Sequence, residues 1–82
     1  MNKKGHTPDE RFLIKLYELS NAKGGPFQTV ETKYVAKGIS QTETSVKNIV
    51  KLLAQANFIK KIGDTAVCLT QQGYNFVQKE LE

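Results

Sequence analysis

The chain is poor in almost everything that builds a chemical site. Its one cysteine, Cys68, and one histidine, His6, stand 62 positions apart in 82 residues. That leaves neither a zinc-ligand set nor a nucleophile with its base. A lone thiol forms no internal disulfide, which points to a reducing compartment. The eight carboxylates show no spacing that suggests a catalytic pair. No apolar stretch approaches the roughly 18 residues that span a bilayer. The basic start, Met1-Asn2-Lys3-Lys4-Gly5-His6, is followed by no apolar run of the kind a signal peptide needs. Arginine is scarce as well, with Arg11 alone. No internal repeat or low-complexity tract is visible. These absences predict a cytoplasmic protein with no metal, cofactor or membrane contact, and they give no basis for an enzyme.

What is present fits one small folded domain. Hydrophobic residues make up 39% and charged residues 24% of the chain, a balance that favours a globular core over disorder. Net charge is +4, and it is unevenly placed. From Lys33 to Lys61 there are six lysines (Lys33, Lys37, Lys47, Lys51, Lys60, Lys61) against one acid, Glu43, so this segment carries +5. Such a concentration suits a phosphate-binding surface, and equally a solvated lysine-rich face.

Helix and strand signals alternate in a definite order. Residues 1–6 are expected to be a disordered tail, with the domain covering 7–82. Thr7-Pro8-Asp9-Glu10 is a capping box with proline at the first helical position, predicting a helix to about Asn21. Leu13, Leu16, Tyr17 and Ser20 form its inner side, widened by Phe12 and Leu19. Lys23-Gly24-Gly25-Pro26 ends it. Phe27-Gln28 suits a brief strand. Thr29 is placed to cap a second helix over Val30 to Lys37, with Gly38-Ile39-Ser40-Gln41 as the turn. A third helix starts from Ser40 with Glu43, or from Thr42. Val46, Ile49, Val50, Leu53 and Ala56 recur on its core side, and Asn57 ends it. Phe58–Ile62 and Thr65–Leu69 read as strands joined by a two-residue Gly63-Asp64 tip. Cys68 falls on the side of its strand opposite Val67 and Leu69, as a small semi-buried residue. Thr70 then caps a last helix to about Leu81. The fold expected is α+β, mostly α: helix, short strand, helix, helix, β-hairpin, helix.

Val35-Ala36, Ile39, Thr42, Val46, Val50, Leu53 and Ala56-Asn57-Phe58-Ile59 together resemble the winged helix-turn-helix domain of prokaryotic transcription regulators. Ala36 and Val46 keep that family's interval between a small residue of the second helix and the first buried residue of the third. Leu53-Ala54-Gln55-Ala56-Asn57-Phe58-Ile59 is similar to its exit from the third helix, with Asn57 where glycine is usual. Leu69-Thr70-Gln71-Gln72-Gly73 is similar to the segment that follows the wing. The resemblance spans about residues 8–80 and implies double-stranded DNA binding through the third helix.

Under that reading the DNA-binding residues are Thr42, Thr44, Ser45, Lys47, Asn48 and Lys51 on the third helix, with Lys60 and Lys61 on the hairpin. Asn48 has the two-pronged amide that suits adenine, the lysines suit phosphate or guanine, and Thr44 suits phosphate or a thymine methyl. Lys33 and Lys37 are placed to touch the backbone. The alternative for each is an exposed polar face, or charge that guards an edge strand. Six lysines on phosphates imply a slope of log K against log salt of roughly −5. Tyr74, Phe76, Val77 and Leu81 offer more apolar surface than one helix of a small domain usually buries. They suit a homodimer contact, or a fold in which Phe76 lies back over the first helix. The function expected is sequence-specific DNA binding in transcription regulation. The rival is a protein-interaction adaptor, favoured by the lack of arginine on the third helix and by the short, partly acidic tip.

Overall fold

Thr7-Pro8-Asp9-Glu10 starts the first helix as its chemistry requires. In the computed structural model, which describes residues 7–81, the Thr7 hydroxyl accepts from the Glu10 amide at 3.2 Å, and the Thr7 amide donates to the Glu10 carboxylate at 3.1 Å. The tail expected over residues 1–6, with His6, lies outside the described residues. Helix α1 runs Pro8–Ala22. Its inner side buries Phe12, Leu13, Leu16 and Ser20. The buried Ser20 hydroxyl donates to the Gly25 carbonyl and accepts from the Gln28 amide at 2.7 Å, so the polar atom is satisfied while it folds the connecting loop back on the helix.

The chain then departs from expectation. Val30–Glu31 is a strand, β1, and α2 covers Thr32–Ile39. Thr29 therefore caps nothing, and Phe27-Gln28 is no strand. Val30 is β-branched and buried, and it pairs antiparallel with Val67 on the hairpin. This tertiary pairing outweighs the weak local helix signal at that position. Gly38 also lies inside α2 rather than in the turn. A Cβ there would stand 2.8–2.9 Å from the side-chain carbons of Lys15, so the glycine admits α1 close to α2. The turn itself falls to Ser40, at φ 58.

Helix α3 spans Glu43–Gln55, started by Thr42, whose hydroxyl accepts from the Ser45 amide at 3.1 Å. Val46, Ile49, Val50 and Leu53 are buried as expected. Ala56 is not. The helix ends one residue earlier, Ala56 is its exposed cap, and Ala54 is the small residue packed against the core. Asn57 takes the left-handed position at φ 66, with the Phe58 amide donating to the Leu53 carbonyl at 3.0 Å. The end of α2 is built alike, where Gln41 donates to Ala36 at 3.1 Å.

Strands β2 (Ile59–Ile62) and β3 (Ala66–Leu69) complete an antiparallel sheet of order β1-β3-β2. Ile62 pairs with Ala66, so the tip has three residues, Gly63-Asp64-Thr65, instead of two. Gly63 carries the positive φ of 65. Thr65 is drawn into the tip because its carbonyl faces the start of α2.

Helix α4, Gln71–Leu81, is capped by Thr70, whose hydroxyl accepts from the Gly73 amide at 3.0 Å and donates to the Asn57 carbonyl at 2.6 Å. Val77 is fully enclosed beside Phe12, Leu16 and Val35 in a single core. The apolar surface assigned to a second copy is mostly occupied within the chain. Tyr74 lies between Tyr17 and Phe27, at ring distances of 6.0 and 5.4 Å, and Phe76 lies 5.4 Å from Phe58. Of Tyr74, Phe76, Val77 and Leu81, Leu81 alone is exposed. The returning loops supply aromatic partners that helix periodicity could not reveal, and Phe76 meets Phe58.

Gly73 is the tightest point of this packing. A Cβ there would stand 2.0 Å from the Phe58 carbonyl oxygen and 3.1 Å from Leu69 Cδ2. Gly73→Ala must therefore move the backbone that leads into β2. It is expected to lower stability by at least about 3 kcal/mol, read from the urea midpoint; a loss below about 1 kcal/mol would show that the contact relaxes freely.

Candidate nucleic-acid interface

Burying Val46, Ile49, Val50 and Leu53 turns the opposite side of α3 to solvent. Thr44, Lys47, Asn48 and Lys51 are exposed there, and Ser45 is half-buried at the margin. Thr42 is exposed too, but its oxygen already accepts the Ser45 amide. Two further residues of this helix were not among the expected DNA-binding residues. Leu52 is 54% exposed, an apolar side chain on a surface expected to be polar. Glu43, at the first turn, lines the cleft described next.

A cleft of about 800 Å³ opens between α3, the start of α2 and the hairpin tip. Lys47 and Lys51, one turn apart, form its α3 wall, and Lys61 faces them from β2. The hairpin lysines are separated by strand alternation. Lys61 pairs with Val67, whose side chain is on the core side, so it shares that side and reaches the cleft. Lys60 pairs with Cys68 and lies on the outer face. Of the two, Lys61 is part of the cleft and Lys60 is not. Thr44 and Asn48 stand outside the cleft on the crest of α3.

Charge pairing divides the lysines further. Lys33 lies 3.5 Å from the Glu31 carboxylate and its ammonium is 5.3 Å from the centre of the Tyr34 ring. Lys47, Lys51, Lys60 and Lys61 have no ion-pair partner among the described residues. Unpaired ammonium groups keep their full charge for an anion from outside. Glu43 and Asp64 also line the cleft, so its lining is mixed in sign. Arg11 is elsewhere. It lines a separate hollow of about 420 Å³ with Lys15, Glu18 and the end of α2.

The cleft exists because β1 ties the hairpin to α2. The Thr65 carbonyl accepts the Thr32 amide at 2.9 Å and the Thr32 hydroxyl at 3.2 Å. Sequence patterning missed this, since the bond joins residues 33 apart that the pairing of β1 with β3 brings together.

Among the described residues, no three His, Cys, Asp or Glu side chains gather closely enough to hold a metal ion. No helix there is long and apolar enough to cross a membrane. The chain matches no known protein-family pattern and no curated protein.

Thr32→Val removes one of the two bonds to the Thr65 carbonyl and keeps the side-chain shape. A loss of about 1 kcal/mol is expected, with faster hydrogen exchange confined to the hairpin tip. Uniform acceleration across all elements would show that the tether is not local.

Proposed function

We propose that this chain is a small double-stranded DNA-binding protein of the winged helix-turn-helix type that regulates transcription, with α3 lying in the major groove and the hairpin beside it. One observation carries the reading: ammonium groups from two separate elements, Lys47 and Lys51 on α3 and Lys61 on β2, line one cleft and form no salt bridge among the described residues, although Glu43 and Asp64 line it too. Convergence from two elements is what gripping a phosphate strand requires, whereas lysines retained for solubility need no common focus. The element order supports the same reading, since α2, a three-residue link of Ser40, Gln41 and Thr42, α3 and a hairpin follow one another directly.

In this mechanism the three cleft lysines supply affinity through phosphates, while Asn48 and Thr44 on the crest of α3 meet base edges. Asn48 offers the amide fork for adenine. Leu52, exposed on the same helix, suits a thymine methyl. No step of the mechanism breaks or forms a covalent bond.

Leu52 and the 52%-exposed Tyr34 on α2 also support a second reading, a protein-interaction adaptor that uses these elements without DNA. Salt dependence separates the two. Three phosphate contacts give a slope of log K against log salt of about −2.7, shallower than the value of about −5 for six lysines. Fluorescence titration of random duplex at several monovalent salt concentrations measures it, and no binding at low salt would leave the adaptor ahead. The double variant Lys47→Glu, Lys51→Glu is expected to abolish duplex binding, and Tm should stay within a few degrees because both side chains are exposed. Retained affinity in that variant would remove α3 from the interface.

A further inference from the structure

The cleft has features that a phosphate track does not need. At about 800 Å³ it falls within the size range of small-molecule sites, about 300–1,000 Å³. Its floor is carbon: Ala36, Val46 and Val50 each keep only 3–7% of their surface exposed, and all three line the cleft. Around that floor the charges nearly cancel. Lys33 and Glu31 pair with each other at 3.5 Å. Lys47, Lys51 and Lys61 then face Glu43 and Asp64, which leaves one positive charge in excess.

The two carboxylates oppose a dense run of phosphates more strongly than a ligand with a single negative charge that sits nearer the lysines. An apolar floor contributes nothing to a phosphodiester, but it does stabilise a ring or short alkyl body. We propose that this cleft binds a small organic monoanion with an apolar body, held by Lys47 and Lys61 over Ala36, Val46 and Val50, and that its occupation excludes duplex DNA. The second half rests on the DNA-binding reading above, because the ligand and the phosphate strand need the same lysines. The protein would then release DNA when such an anion accumulates.

Naphthalene-2-sulfonate tests the site directly. Titrated into methyl-labelled full-length protein, it should shift the methyl signals of Ala36, Val46 and Val50 in a saturable way. The neutral isostere naphthalene-2-sulfonamide should bind at least about tenfold more weakly, and so should the sulfonate to the double variant Lys47→Gln, Lys61→Gln. Lys79→Gln, on exposed α4 surface, should leave the sulfonate affinity unchanged, which separates a local site from general attraction to a basic protein. Shifts centred on other methyls, or equal affinity for the sulfonate and the sulfonamide, would overturn the site. In the presence of labelled duplex, the apparent Kd for DNA should rise in proportion to sulfonate concentration. Duplex affinity untouched at saturating sulfonate would overturn the exclusion. A chain that binds no duplex at any salt would refute the DNA reading instead, and the methyl shifts alone would then decide the anion site.

Discussion

Two hydrogen bonds to one carbonyl hold the hairpin tip against α2. Thr65 sits at the hairpin tip, and its oxygen accepts both the amide and the hydroxyl of Thr32 at the start of α2. Beside it, Val30 pairs with Val67 and Glu31 with Ala66. The hairpin also packs on α1 and α4 through β3 and on α3 through β2, but those contacts lie in the core and leave its tip free. With that short strand, the tip is anchored at a fixed distance from α3, and a cleft forms between them. Each such bond contributes about 1 kcal/mol, yet together they decide whether Lys61 faces Lys47 and Lys51 or moves independently of them.

The helices are positioned by a repeated device. Both α2 and α3 end on a non-glycine residue in the left-handed region, Ser40 and Asn57, with the next amide reaching back five residues to a helix carbonyl. These closures satisfy carbonyls that would otherwise be left bare. They also set the directions in which the chain leaves, toward α3 after Ser40 and toward β2 after Asn57. Thr70 and Gly73 then lock the far end: the Thr70 hydroxyl bonds the Asn57 carbonyl, and Gly73 lies directly against the Phe58 carbonyl. The exit of α3, the entry of β2 and the start of α4 therefore meet at one crowded point.

Local patterns were legible wherever a residue acts on its close neighbours. The Thr7–Glu10 capping box, the Thr70 cap, the core side of α3 through Leu53 and the left-handed Asn57 all follow from contacts within a few positions. The exposed set Thr44, Lys47, Asn48 and Lys51 follows from the same periodicity, because a buried stripe leaves its reverse side wet. Errors arose where distant residues competed. Val30-Glu31 looked like helix until Val67 and Ala66 offered a sheet partner. Gly38 looked like a turn, although the nearby Lys15 stem accounts for a residue without a side chain inside a helix. Tyr74 and Phe76 looked available to a second copy until Phe27 and Phe58 returned to cover them.

The sequence alone determined which side chains each element would present, since helix and strand periods depend only on backbone geometry and on where the apolar residues lie. It also determined the excess of lysine between Lys33 and Lys61. Tertiary structure decided which of those lysines share a focus. Lys60 and Lys61 are adjacent in the chain but face opposite sides of a strand, while Lys47 and Lys61 are far apart in the chain and line one cleft. Proximity across elements depends on long-range pairing, and no local period encodes that.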